Sequence, residues 1–195
     1  MKKNNNSLNS RDRKNEFDEN MYIFNFDYES YQYNNMFDEV NLNRKKSEYI
    51  YNIQQKADEF KNEWQFITYQ EKVQICSETD RIYNMWLPYW NARDYDNAIK
   101  YAIKALKIKP DNDNAISMLA NYYKNKDEDD IAIGLYKIAI GLTPVPNDKS
   151  RYYVNLGNIY FELGNQQQGI SCYKNAASFG HAEAKRWLIQ KGYFS

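Results

Sequence analysis

The chain has 195 residues, with 26 basic and 26 acidic side chains and an aromatic content of 16%. This length is enough to bury a core, and no run reaches the roughly eighteen apolar residues that a membrane-spanning helix needs. Zero net charge argues against a nucleic-acid binder. Two cysteines and one histidine leave little material for a metal site or a nucleophilic triad. The composition therefore points away from catalysis.

The N-terminus opens Met-Lys-Lys, but Asn4, Asn5, Asn6 and Ser7 follow in place of an apolar segment, so no secretory signal is expected. Acidic residues from Asp12 onward argue against a mitochondrial presequence, and a cytoplasmic location is expected. Residues 1–43 hold many Asn, Asp, Glu and Tyr and few aliphatics. Their five basic and eight acidic residues give a net charge of −3 against +3 for the remainder. Such a segment lacks the apolar surface to offset its ordering entropy, which predicts a disordered acidic and aromatic tail. Within it Tyr22, Phe24, Phe26 and Tyr28 alternate, followed by Tyr31, Tyr33 and Phe37. Alternation lines one face of an extended strand, and reads either as a docking motif or as compositional bias.

From residue 44 the pattern turns helical. Ile50, Ile53, Ala57, Phe60 and Trp64 recur every three or four residues, a single stripe along one helix. A second helical stretch runs from about Phe66 towards Cys76, and Ser77, Thr79 and Asp80 are candidate N-caps for the helix after it. Residues 44–78 are thus read as a helical extension. Cys76 and Cys172 belong to no ligand or redox spacing and read as half-buried structural thiols.

Self-similarity is the strongest signal. Aligning Pro110 with Pro144 gives a period of 34, which pairs Ile82 with Ile116, Met85 with Leu119, Tyr89 with Tyr123, Ala98 with Ala132 and Ala105 with Ala139. After a three-residue insertion Tyr153, Leu156, Gly157, Tyr160, Gly169, Tyr173 and Ala176 repeat the pattern. Small residues at fixed places let helices approach closely, tyrosines fill the space between them, and prolines end the second helix of each pair. The pattern resembles the tetratricopeptide repeat over residues 79–195, with repeats at 79–112, 113–146 and 150–183 and a capping helix at 182–191. The last repeat, through Tyr173, Ala176, Ala177, Gly180, His181, Ala184 and Leu188, is similar to Sel1-like repeats. Trp86 stands where a small residue belongs, and Pro88 falls inside the first helix, where it is expected to bend the helix or end it early.

The resemblance implies an all-α, α-α superhelix whose concave face, lined by the first helix of each repeat, binds a protein or peptide. Helical spacing then places Asp80, Tyr83, Leu87 and Trp90 of the first repeat towards the groove. Asn114, Ser117, Asn121 and Lys124 follow from the second repeat, and Arg151, Val154, Asn155, Asn158 and Phe161 from the third. Asn121 and Asn158 share one repeat position, and an amide ladder suits a peptide backbone. Lys124 and Arg151 favour an acidic residue or a C-terminal carboxylate, or the chain's own acidic tail. The carboxylate clamp of some such proteins is not expected, since Met118 and Tyr83 replace its Asn and Lys.

No phosphate-binding, zinc-protease or serine-hydrolase motif is present. His181, after Gly180, reads as a turn or cap residue. The acidic run Asp127, Glu128, Asp129 and Asp130 lacks calcium-loop spacing and suits a helix N-terminus. No catalytic residue, metal or cofactor is assigned. The expected function is a non-enzymatic protein-binding module, with a dedicated chaperone or immunity-type protein that sequesters one effector as the alternative.

Overall fold

The computed structural model describes residues 39–193, with side chains from residue 42. The described residues form eight helices and no strand: α1 (Glu39–Trp64), α2 (Tyr69–Asn91), α3 (Tyr95–Ile108), α4 (Asp113–Asn125), α5 (Asp129–Leu142), α6 (Pro146–Glu162), α7 (Gln166–Ser178) and α8 (Ala182–Gln190). The alternating aromatics Tyr22 to Phe37 lie outside the described residues. Helix α1 begins at Glu39, ahead of the boundary expected at residue 44. Contacts divide the chain into two units, Met1–Ile53 and Gln54–Ser195. Of the first unit, only the helical residues 39–53 are described.

In the second unit, three antiparallel hairpins, α2–α3, α4–α5 and α6–α7, pack one on the next, with α8 against α7. This is an all-α solenoid. Its core follows from helical spacing. Ala98, Ala102, Ala105 and Leu106 of α3 are buried, as are Ile116, Leu119, Ala120 and Tyr123 of α4 and Ile131, Ala132, Leu135 and Ala139 of α5. Each buried Leu or Ile contributes roughly 1.5–3 kcal/mol, and no hairpin can bury both of its apolar faces alone. Gly157 and Gly169 sit where α6 and α7 cross most closely. A Cβ on Gly157 would lie 2.8 Å from Tyr173 Cδ1, and one on Gly169 2.5 Å from Phe161 Cε1.

The repeat is written into the backbone as well. Arg93 and Asp127 adopt φ 60°, and Gly164 adopts φ 75°. The three positions are equivalent, one in each turn between first and second helix. In each turn the next N–H closes onto the carbonyl of the repeat tyrosine: Asp94 on Tyr89 at 2.9 Å, Glu128 on Tyr123 at 2.9 Å and Asn165 on Tyr160 at 2.7 Å. This left-handed closure satisfies carbonyls that the helix end leaves open.

Two boundaries of the first helix of repeat one differ from expectation. The first helix of repeat one begins at Tyr69, not near residue 79, because Thr68 caps it. Its hydroxyl accepts from Glu71 N–H at 3.3 Å while Glu71 Oε2 accepts from Thr68 N–H at 3.0 Å. This reciprocal box satisfies two open donors. Thr79, taken as a candidate cap, is buried inside α2, and its hydroxyl donates back to the Ile75 and Cys76 carbonyls at 3.0 and 2.9 Å. Pro88 does not end the helix early. It removes one bond near the last turn, and Ala92 N–H still reaches the Pro88 carbonyl at 3.0 Å. Trp86 fits at its small-residue position by stacking on Trp90, with ring centroids 5.2 Å apart. Tyr89 is 36% exposed, stacked on Tyr101 at 5.4 Å, so it fills less of the core than Tyr123 or Tyr160.

Candidate functional site

The first helices α2, α4 and α6 carry every residue that spacing assigned to the groove. Adjacent first helices are tied by polar contacts at the start of α4. Asn114 Oδ1 accepts from Arg151 at 3.2 Å and lies 3.0 Å from the Tyr152 hydroxyl, whose single proton it shares with Asp113 Oδ2 at 3.1 Å. Tyr152 is fully buried. Burial, then the Asp113 charge, pushes its phenol well above the ordinary tyrosine range.

Asn121 and Asn158 face the same kind of partner. Tyr136 of α5 donates its hydroxyl to Asn121 Oδ1 at 2.7 Å, and Tyr173 of α7 donates to Asn158 Oδ1 at 2.7 Å. Asn155 joins the first pair, donating to the Tyr136 hydroxyl at 3.1 Å. Burial holds the Tyr136 phenol far above its usual range, so it stays a neutral donor. Asn121 Nδ2 is also engaged, on the Ser117 carbonyl at 3.0 Å. Asn158 Nδ2 has no acceptor among the described residues. Ser117 is 7% exposed and donates to the Asn114 carbonyl at 2.8 Å, which places it in the floor and not on the surface.

The two cations are paired. Lys124 Nζ lies 2.7 Å from Glu162 and 3.1 Å from Asp129. The Glu162 carboxylate, helped by Asp129, holds its ammonium above the ordinary lysine range. Arg151 binds Asp148, three residues earlier on α6, at 2.9 Å. The acidic run spans the turn, N-cap and first turn of α5, and Asp129 contributes to this pairing.

Apolar surface gathers on α2. Tyr83 is 36% exposed and Leu87 is 41% exposed. The half-buried Trp90 stacks on Trp86 and lies 4.8 Å from the Tyr95 ring. Beside this ridge a cleft of about 290 Å³ opens between α2, α3, α4 and α6. Asp80, Tyr83, Tyr101, Met118, Asp148 and Arg151 line it. Asp80 was placed in the groove by spacing, whereas Tyr101 was not, since it belongs to a second helix. Asp148, which spacing also leaves out of the groove, is the i, i+3 partner of Arg151 on α6.

Cys172 is buried and Cys76 exposed, so the two thiols are unalike and not both half-buried. Burial pushes the Cys172 thiol up to about 11. His181 is the N-cap of α8, its Nδ1 accepting from Ala184 N–H at 3.2 Å. Among the described residues, no helix is long and apolar enough to cross a membrane.

The tetratricopeptide repeat family description matches residues 89–112 and 150–179. The second stretch covers most of the third repeat, 150–183. No curated protein matches the sequence. Among solved structures, MamA is similar at 20% identity and a TM-score of 0.48, over 63% of this chain and 75% of that one. The TPR domain of Sgt2 from Aspergillus fumigatus is similar at 19% identity and a TM-score of 0.47, over 59% of this chain and 82% of that one. The family description is thus matched on two stretches of a chain in which one hairpin geometry repeats three times in register, so the chain carries repeats of the tetratricopeptide type.

Proposed function

We propose that this chain is a non-enzymatic interaction module that binds a protein or peptide along the concave face made by α2, α4 and α6. The observation that carries this reading is the ridge of Tyr83, Leu87 and Trp90, apolar surface left uncovered beside a cleft between three first helices. Single exposed apolar residues are ordinary, but a contiguous ridge next to a cleft marks a binding surface. Asn155, Asn158, Lys124 and Arg151 continue the same face, with Asn121 and Ser117 as its supports. Lys124 and Arg151 each stand in an ion pair on this face.

Affinity capture with the full chain, followed by mass spectrometry, tests the reading. Three baits are compared: wild type, Leu87→Glu, and Lys137→Glu on the exposed surface of α5. Partners held by wild type and Lys137→Glu but lost by Leu87→Glu support it. Equal retention by all three baits overturns it. A single stoichiometric partner marks dedicated sequestration, and several weaker partners mark an adaptor.

A further inference from the structure

The cleft between the first helices has a charge balance opposite to the one its basic residues suggest. Arg151, the cation among its lining residues, is paired with Asp148 at 2.9 Å. Asp80 lines the same cleft with no ion pair or hydrogen bond among the described residues. Two acids, Asp80 and Asp148, therefore line the cleft against one base, Arg151. The remaining walls are aromatic or thioether: Tyr83, Tyr101 and Met118. Such walls cover the aliphatic stem of a long cationic side chain and offer ring faces to its charge. A cavity of about 290 Å³ is of the size that one side chain fills.

We propose that this cleft takes a lysine or arginine side chain of a bound peptide, with Asp80 as its counter-charge and an apolar residue of the same peptide seated on Leu87. Asp80 and Leu87 lie two turns apart on α2, about 10 Å along the axis. An extended ligand spans that distance in about three residues. The recognised pattern is thus a basic residue and an apolar residue three positions apart. The proposal rests on the concave-face reading above and adds the chemistry of its anchor. It also excludes acidic C-termini as the preferred ligand, because a carboxylate in the cleft would meet Asp80 without a free cation to offset it.

The test is an array of short synthetic peptides in a Gly/Ser background, probed with the full chain. Members carry Arg, Lys, norleucine or Glu three positions from a Leu. The proposal expects the Arg and Lys members to bind and the norleucine and Glu members to fall by about tenfold or more, the loss of one charge-assisted hydrogen bond. Asp80→Asn is expected to remove that preference and Asp80→Glu to keep it. Asp80 is exposed, so neither variant disturbs the fold. Binding lost in Leu87→Glu but unchanged in Asp80→Asn overturns the anchor alone. Binding unaffected by either variant, or no binding by any member, overturns the concave-face reading as well. Equal or stronger binding of the Glu members overturns the anchor.

Discussion

Tyr136 donates to Asn121 Oδ1 across 2.7 Å, and one repeat later Tyr173 makes the same bond to Asn158. In the first repeat the two equivalent places hold Leu87 and Ala102, so an apolar pair stands where later repeats use a polar one. The bond joins the first helix of a hairpin to its second and fixes the amide that sequence spacing had set aside for a ligand. Asn121→Ala therefore removes the acceptor of a buried hydroxyl and is expected to cost about 1–3 kcal/mol. Asn158→Ala costs less, because Tyr173 is only half-buried. Urea unfolding of both variants checks the order. A double-mutant cycle of Asn121→Ala with Tyr136→Phe is expected to show a coupling of about 1 kcal/mol.

Left-handed turns give a prediction of opposite sign. Arg93 and Asp127 hold φ 60° where the third repeat has Gly164. Replacing either by glycine relieves the Cβ penalty of that conformation and is expected to stabilise the chain by about 0.5–1 kcal/mol, net of the entropy glycine adds to the unfolded state. Thermal melting measures it, with an upward shift for each variant and roughly additive shifts in the pair.

Ala132 is fully buried, at the repeat position that Ala98 and Gly169 hold in the other two hairpins. Ala132→Arg overfills that position and buries a charge, at about 3 kcal/mol or more. Circular dichroism is expected to show lost helicity or a much lower melting point. Wild-type melting would mean that the repeat register is misplaced.

The two thiols separate by burial. A maleimide or iodoacetamide at pH 8 is expected to label Cys76 at once and Cys172 only on unfolding, read by intact mass. Because the folded Cys172 thiol sits near 11, above its unfolded value, the native state holds this proton longer than the unfolded chain. Its share of stability is present below the unfolded value and is lost as pH rises through about 11. Cys172→Ala is expected to flatten that alkaline limb.

The repeat was legible because its markers are side chains whose size decides how close two helices come. Ala98, Ala105, Tyr123 and Pro110 keep a 34-residue register that composition alone does not produce. Boundaries were less legible. Thr79 looks like a cap in sequence, yet its hydroxyl is satisfied within α2 by the preceding turn, and the helix runs on from Thr68. Helical spacing assigns residues to one side of the first helices, but it does not give their chemistry. Lys124 reads as a free cation until the fold brings Glu162, the last residue of the next first helix, to 2.7 Å. Asn121 reads as a peptide-binding amide until Tyr136, on the partner helix, takes its oxygen. In each case the deciding contact lies on another helix, beyond the reach of local pattern.

The central claim is that a ligand lies on the first-helix layer. Hydrogen–deuterium exchange of the full chain, with and without a saturating arginine-bearing array peptide, tests it most directly. The account predicts new protection in segments of α2, α4 and α6 around Asp80, Leu87, Met118 and Asn155, with α3, α5 and α7 unchanged on their outer faces. Protection confined to α3, α5 and α7 would contradict it.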